Sequence, residues 1–227
     1  GLQLSSPAIL SLGFLALIVI GTVLLSLPIA TIQPISILAA AFTATSAVTV
    51  TGLNVVDTAN YTTFGQLVIA ALIQFGGLGF MTFAILVLTS LQGKMGLSGS
   101  ITAQEALGTH SNQIGSTAKA VIKIAFITES LGFLGLTLLL APLKGLKDAM
   151  YEAFFLCISA FNNAGFALNG NNMTAYVHQP MISFIISLLI ITGGIGFLVI
   201  LDIIKHKRWQ KFTLHTKVMV LGTLALN

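Results

Sequence analysis

Three long stretches of this chain contain no Asp, Glu, Lys or Arg: residues 1–56, 58–93 and 153–201. Each is longer than the roughly 20 apolar residues that a helix needs to cross a bilayer. Charged residues occupy only 7% of the 227 positions, whereas soluble domains use about 25%. Because a water-soluble surface cannot be built from so few charges, we expect an all-α membrane protein.

The ten Lys and Arg residues are distributed unevenly around the predicted spans. Four spans fit the apolar stretches: Pro7–Leu27, Thr62–Leu91, Ala118–Ala141 and Pro180–Ile204. Eight of the basic residues fall between spans two and three, at the start of span three or after span four, and only Lys144 and Lys147 fall on the other side. The positive-inside rule therefore makes the eight-residue face cytoplasmic. The basic residues are too few and too scattered to indicate nucleic-acid binding.

Two further apolar segments, Ser36–Val48 and Leu146–Phe161, are too short to cross a membrane. A short polar stretch with a glycine follows each of them, Thr49–Leu53 after the first and Asn162–Phe166 after the second. Non-helical backbone survives at membrane depth only where it is buried in protein or lines a watery cavity. The pattern therefore predicts re-entrant half-helices beside a pore or a midplane binding site.

This arrangement occurs twice along the chain. Gly52 and Gly165 are 113 residues apart, and the glycine clusters that begin at Gly76 and Gly193 are 117 residues apart. We interpret the chain as two copies of span, half-helix, glycine turn and span in the same orientation. The glycine clusters, Gly76–Gly79 and Gly193–Gly196, are close-packing surfaces or hinges, and packing is the favoured interpretation.

The repeat sets the predicted organisation of the chain. Residues 1–93 form the first copy, 94–117 a cytoplasmic linker, and 118–204 the second copy. Residues 205–227 form a cytoplasmic basic segment followed by the start of another span. Within these regions we expect a short surface helix at Leu97–Leu107 and a basic interfacial anchor at Lys205–Lys211.

The backbone that follows each half-helix is the candidate ion-binding site. A helix carries partial negative charge at its C-terminal end, which favours a cation there. Carbonyl oxygens of the following turn can replace the hydration shell of K⁺, and glycine permits the dihedrals that this requires. The candidate contact residues are Val50, Thr51, Gly52, Leu53, Asn163, Ala164, Gly165 and Phe166. An ordinary extracellular turn is the alternative, and the repetition of the pattern favours the filter.

The motifs T-V-T-G-L and G-G-x-G-F in the first copy and F-N-N-A-G-F in the second resemble the Trk/Ktr/HKT superfamily of potassium transporters. The likeness is closest to the membrane subunit of bacterial Ktr systems and covers essentially the whole chain. It implies a potassium-channel-like fold in which four M1–pore helix–M2 repeats enclose one pore. Gly52 and Gly165 match two of the four filter glycines. The tail from Leu214 resembles the start of a third M1, and we therefore expect a portion of a longer chain.

The same resemblance implies a function. The chain would be the ion-conducting subunit of a potassium uptake system, with K⁺ as the transported ion, Na⁺ as a possible activator and no cofactor of its own. It would pass K⁺ down its electrochemical gradient as a multi-pass protein of the bacterial plasma membrane. Homodimerisation and gating by a cytosolic RCK-type nucleotide-binding ring are also implied. Unequal filter sequences in the two copies suggest weaker selectivity than in a strict tetrameric channel.

Other classes of function have less support in the sequence. A secondary transporter of a small solute, with broken helices at a midplane site, is the main alternative. Such folds often use inverted repeats, whereas both copies here have the same orientation. A membrane scaffold in which the glycine segments only pack is a third possibility. The four histidines lie on separate loops and there is no nucleophile or phosphate-loop motif, so nothing indicates an enzyme.

Two further residues are considered for a functional role. Glu129 falls inside the third span, where an ionisable group is a functional candidate by default. It either has such a role or pairs with a basic neighbour such as Lys123, and the sequence favours neither. Cys157 is the only cysteine, and we interpret it as a small buried hydrophobic residue.

Overall fold

A computed structural model describes residues 6–94, 103–170, 172–206 and 209–226. These residues form α-helices joined by turns and short 3-10 segments, and no β-strand occurs within them. The helices are α1 (Ser6–Leu25), α2 (Ile37–Val48), α3 (Thr63–Lys94), α4 (Ala103–Lys144), α5 (Leu146–Phe161), α6 (Pro180–Gly194), α7 (Phe197–His206) and α8 (Leu214–Leu226). The predicted all-α class is confirmed.

The two predicted short helices are also confirmed, as α2 and α5. Helix α2 begins after Ser36, whose side chain caps the helix by accepting a hydrogen bond from the N–H of Ala39 at 3.1 Å. Helix α5 follows Gly145, which has a φ of 84°. Glycine adopts this left-handed conformation without steric cost, and it lets the chain turn directly from the end of α4 into α5.

Two predicted spans have different boundaries in the structure. Helix α4 begins at Ala103 rather than at Ala118, so part of the predicted linker is helical. Residues 95–102, which include the first six of the eleven residues of the predicted Leu97–Leu107 helix, lie outside the described residues. The fourth span is not one helix, because α6 ends at Gly194 and α7 begins at Phe197. Gly196, with a φ of 92°, occupies this break, and that conformation cannot continue a right-handed helix.

The described chain divides into two compact units, Gly1–Gly77 with Thr128–Gly194, and Leu78–Ile127 with Ile195–Asn227. In the first unit α1 packs on α2 and α5 packs on α6. Its core contains alanines along one face of α2, among them Ala40, Ala44 and Ala47, which are fully buried. Small residues at helical spacing allow the neighbouring backbones to approach closely. Most of α5 is buried, including Cys157 as predicted.

The outward faces of the first unit are apolar. Leu15 on α1, Leu138 on α4 and Phe184 on α6 are each more than half exposed. By length and composition, the helical stretch Lys119–Lys144 can cross a membrane, and it alone passes that test among the residues whose side chains are described. Exposed apolar side chains of this kind are stable in lipid and unfavourable in water. The prediction of a membrane protein agrees with this surface.

In the second unit, α7 and α8 are joined by the carboxylate of Asp202. Its Oδ2 atom accepts hydrogen bonds from the backbone N–H of Thr213 at 2.9 Å and from the Thr213 hydroxyl at 3.0 Å. Its Oδ1 atom lies 2.6 Å from Nδ1 of His206. The carboxylate therefore binds the N-terminal end of α8, where helix N–H groups lack partners within the helix. Lys207 and Arg208 of the predicted basic anchor lie outside the described residues.

Candidate ion-binding site

The structure brings the two predicted glycine turns together in the first unit. We call residues 50–53 the first carbonyl segment and residues 163–166 the second. They follow directly after α2 and α5 and their capping residues. A Cβ atom added to Gly52 would lie 2.5 Å from the carbonyl oxygen of Ala164 and 3.2 Å from Cα of Gly165. Gly52, Ala164 and Gly165 therefore come into close backbone contact, although they are 112 and 113 residues apart in sequence.

The same pattern of positive φ angles occurs in both segments. Val50 and Gly52 have φ angles of 49° and 70°, and Asn163 and Gly165 have 57° and 74°. The residue between each pair is not in the positive-φ region. Alternation of left-handed and right-handed dihedrals turns successive N–H groups to one side of the chain, which leaves the carbonyl groups on the other. A β-branched residue such as Val50 rarely adopts positive φ, and the surrounding contacts must hold it there.

The first two N–H groups of each segment donate back to the half-helix from which the chain emerges. The N–H of Thr51 donates to the carbonyl of Ser46 at 3.0 Å, and the N–H of Ala164 donates to the carbonyl of Ser159 at 2.8 Å. The residues before them repeat this correspondence, with distances of 3.3 Å for Val50 to Ala47 and 3.1 Å for Asn163 to Ala160. These donors satisfy carbonyl groups at the helix end that would otherwise lack partners.

The two serines also bind the segments through their hydroxyl groups. Ser46 Oγ accepts hydrogen bonds from the N–H of Leu53 at 2.8 Å and from the Thr51 hydroxyl at 3.1 Å. Ser159 Oγ donates to the carbonyl oxygen of Phe166 at 2.6 Å. Both serines are 3% exposed. Sequence reasoning missed them, although they occupy equivalent positions 113 residues apart near the ends of the two half-helices.

Most of the carbonyl groups in the two segments have no protein partner. Within the described residues, no donor reaches the carbonyl oxygens of Val50, Thr51, Gly52, Asn163, Ala164 and Gly165. The Phe166 carbonyl differs, because it is occupied by Ser159. A backbone segment whose carbonyl groups receive no protein donor can offer oxygen ligands to a cation.

The predicted contact residues differ in burial. Ala164 is fully buried and Phe166 is 2% exposed, with both side chains in the core. Val50 and Gly52 are partly buried, and the remaining four are exposed, namely Thr51, Leu53, Asn163 and Gly165. The second segment is therefore anchored by its own side chains, whereas the first is held mainly by Ser46.

The glycine clusters pack against the ends of the half-helices. A Cβ atom on Gly76 would lie 2.0 Å from the carbonyl oxygen of Val48, and one on Gly193 would lie 1.7 Å from that of Phe161. Only glycine permits this approach of helix to backbone. The favoured packing interpretation agrees with these contacts in both copies. The second cluster also contains the helix break at Gly196, whereas the first lies within α3.

A polar cluster holds the loop that follows the second segment. The Glu152 carboxylate forms an ion pair with Lys144 and accepts hydrogen bonds from the Tyr176 hydroxyl and from Asn169 Nδ2. Glu152 is 6% exposed. Burial and the hydrogen bond to Glu152 raise the pKa of the Tyr176 phenol above its ordinary value, so the phenol stays protonated and donates. These contacts hold Glu152 and Lys144 together. A buried charge left without its partner would be costly.

Glu129 does not pair with Lys123. Its Oε2 atom accepts a hydrogen bond from Gln74 Nε2 at 3.1 Å, and Lys123 is exposed. Gln74 in turn contacts Asn162, the residue before the second segment. Sequence reasoning missed Gln74 as a site residue, although a polar side chain inside an apolar span is a signal that could have identified it.

The described helices and their exposed apolar faces are those of an all-α membrane protein. The chain belongs to the TrkH family of cation transport proteins, because the family model matches residues 7–221. The superfamily resemblance inferred from the motifs is thereby confirmed.

Individual relatives are similar over almost the whole chain. It is 47% identical over 228 residues to the Ktr system potassium uptake protein B of Bacillus subtilis, covering 99% of this chain and 51% of that protein. It is 40% identical over 223 residues to the protein of the same name from Vibrio alginolyticus, covering 96% and 49%. It is 36% identical over 230 residues to the potassium/sodium uptake protein NtpJ of Enterococcus hirae, covering 99% and 51%. The chain spans about half the length of these curated relatives.

Proposed function

We propose that this chain forms part of a potassium-conducting pore, within the ion-conducting subunit of a potassium uptake system. One observation carries the proposal. Two segments with the same pattern of positive φ angles and the same pattern of N–H bonding meet at Gly52 and Gly165. In each segment the first three carbonyl oxygens receive no hydrogen bond from the described residues. An ordinary surface turn needs neither the repetition nor the contact.

The chemistry of the segments suits a monovalent cation. Their side chains are Val, Thr, Gly and Leu in one and Asn, Ala, Gly and Phe in the other, without a carboxylate. Divalent cations prefer sites with acidic ligands. Carbonyl dipoles can replace the hydration shell of K⁺ and still release the ion, as conduction requires. Helices α2 and α5 both end at the segments, and their C-terminal partial charges favour a cation there.

The driving force need not come from this chain. The membrane potential contributes about 2.3 kcal/mol per elementary charge for every 100 mV. Inward passage of K⁺ down its electrochemical gradient therefore requires only a selective path. We infer that the protein spans the bacterial plasma membrane several times, and that two further M1–pore helix–M2 repeats complete the ring around one pore.

The finer assignments rest on resemblance to the relatives. Two are named as potassium uptake proteins of a Ktr system and one as a potassium/sodium uptake protein. We propose that K⁺ is the transported ion, that Na⁺ acts as an activator, and that the subunit works as a homodimer on a cytosolic RCK-type nucleotide-binding ring. The chain would act as a transporter without enzymatic activity or nucleic-acid partner.

Growth of an uptake-deficient bacterial strain at limiting K⁺ tests the proposal, with the complete gene product as the protein. In Gly52→Ala the alanine would have to adopt a φ of 70°, and its Cβ atom would lie 2.5 Å from the Ala164 carbonyl oxygen. We therefore expect growth to be lost. Gly145→Ala is the matched control, because Gly145 has a φ of 84° and nothing within 4 Å of an added Cβ. Comparable growth of both variants, at comparable amounts in the membrane, would contradict the proposed pore.

Selectivity is tested separately. The two segments differ in sequence, so the oxygens around the ion are not related by fourfold symmetry. Because the number and geometry of these oxygens set discrimination, we propose weaker preference for K⁺ over Na⁺ than in a strict tetrameric channel. Reversal potentials in mixed K⁺ and Na⁺ measure this preference, and complete exclusion of Na⁺ would refute the proposal.

A further inference from the structure

Three polar side chains, one buried and two partly buried, form a hydrogen-bonded chain in the first unit. Oε2 of Glu129 accepts from Nε2 of Gln74 at 3.1 Å, and Oε1 of Gln74 accepts from Nδ2 of Asn162 at 2.8 Å. We call these three residues the amide relay. Glu129 lies on α4, Gln74 on α3, and Asn162 is the C-cap of α5. The relay therefore connects two long helices with the residue immediately before the second carbonyl segment.

The carboxyl group sets the direction of the relay. Because an oxygen of Glu129 faces Gln74, the Gln74 amide must present Nε2 to it and Oε1 to Asn162. Asn162 must then present Nδ2, and it uses this group a second time to donate to the carbonyl of Ile158 at 2.9 Å. The acceptors at Glu129 and Ile158 together fix both amide orientations. Removal of the Glu129 acceptor frees Gln74 to rotate and leaves Asn162 held only by the carbonyl of Ile158 in its own helix.

The surroundings of Asn162 restrict the orientation of its amide group. Asn162 is 4% exposed, and a buried amide is costly unless it is hydrogen-bonded. Gly77 makes room for it, because a Cβ atom at Gly77 would lie 2.1 Å from Asn162 Oδ1. The other oxygen of Glu129, Oε1, is buried and no described residue bonds to it. The carboxyl group is thus committed to Gln74.

The first carbonyl segment has no such connection. The equivalent capping residue, Thr49, bonds through its side chain to the carbonyl of Thr45 in its own helix at 2.7 Å. The relay is therefore a property of the second segment. It acts next to Asn163, whose φ of 57° begins the alternating backbone conformation.

We propose that Glu129 is a positioning residue that acts through Gln74 and Asn162 to hold the second carbonyl segment, and that this relay strengthens discrimination of K⁺ against Na⁺. The inference rests on the proposed function. Discrimination depends on the geometry and stiffness of the carbonyl oxygens around the ion. A second segment released at Asn162 can adjust its oxygens to the smaller Na⁺ ion.

Uptake of K⁺ and Na⁺ by the complete gene product in liposomes tests the role. Glu129→Leu removes the acceptor, and Gln74→Met removes the connecting amide at similar volume. We expect each to lower the ratio of K⁺ to Na⁺ uptake about fivefold, the effect of losing one hydrogen bond. Glu129→Gln retains an acceptor oxygen for Gln74 and should keep the ratio. Thr137→Val is the matched control, because Thr137 is buried on the same helix outside the relay.

The double variant Glu129→Leu with Gln74→Met should behave like either single variant, because the residues act in one chain. An unchanged ratio in both single variants, or effects that add in the double variant, would overturn the inference. If Glu129→Leu is not recovered from the membrane, Gln74→Met and Glu129→Gln decide between the outcomes. A wild-type protein that takes up neither ion would instead overturn the proposed function.

Discussion

Alanine at Gly193 should force α6 away from the end of α5. The added Cβ atom would lie 1.7 Å from the carbonyl oxygen of Phe161 and 2.8 Å from its carbonyl carbon. A carbon atom and a carbonyl oxygen in contact stay about 3.3 Å apart, so the two backbones must separate by roughly 1.5 Å. The obstacle is backbone at a helix end, and no side-chain rotation relieves it. The displacement falls just before the second carbonyl segment.

Two opposing energies set the size of the effect. Overpacking a well-packed interior costs about 1–3 kcal/mol, with the upper end appropriate for a backbone obstacle. Alanine regains about 1 kcal/mol of helix propensity over glycine. The net loss for Gly193→Ala is about 2 kcal/mol. For a chain of this size that corresponds to a fall in melting temperature of roughly 4–8 °C.

Two other glycines provide matched controls. An added Cβ on Gly13 meets nothing within 4 Å, so Gly13→Ala retains only the gain in propensity. At Gly135 the nearest atom is Cδ1 of Ile185 at 2.9 Å, the end of a flexible side chain that can rotate away. Melting temperatures of the purified proteins in detergent should therefore fall in the order Gly13→Ala, Gly135→Ala, Gly193→Ala. A Gly193→Ala protein that melts at or above the Gly13→Ala protein would refute the reasoning.

Three further sets of substitutions test other contacts. The Tyr61 hydroxyl donates to the buried Thr43 Oγ1 at 2.9 Å; Tyr61→Phe should cost about 1 kcal/mol of unfolding free energy and Thr43→Val a similar amount, with coupling in the double variant. Glu152→Leu and Glu152→Gln both remove the charge that pairs with Lys144, but Gln keeps a hydrogen-bond acceptor, so Glu152→Leu should lower thermal stability more; equal losses would mean that the hydrogen bonds of Glu152 contribute nothing beyond its charge. Asn163→Val places a β-branched residue at a φ of 57° and should cost about 1–2 kcal/mol in denaturant unfolding, whereas an unchanged midpoint would show that the segment relaxes.

The short helices and the glycine turns were predictable because each leaves a local trace in the sequence. A 16-residue apolar run cannot cross a bilayer and must end inside protein, and α5 has the predicted bounds of Leu146–Phe161. The spacing between Gly52 and Gly165 identified the pair of turns that meet in the structure. That these turns form an ion filter stays a prediction.

The break at Gly196 and the early start of α4 at Ala103 were not predicted. Apolar composition identifies a stretch that suits lipid, but it does not report whether one residue within the stretch has positive φ. Glycine is compatible with both helix and break, because it lacks a Cβ atom. The choice therefore depends on the neighbouring chain, which differs between Gly79 and Gly196.

The sequence by itself determined the membrane environment, the helical class and the two half-helices, because hydropathy and length act residue by residue along the chain. Only the tertiary structure decided which polar side chains meet. Gln74 and Asn162 are 88 residues apart, and Gln74 and Glu129 are 55 apart. Hydrogen bonds over such separations depend on the packing of three helices and leave no local pattern. A glutamine within an apolar span therefore looks like an isolated polar residue until the structure shows its partners.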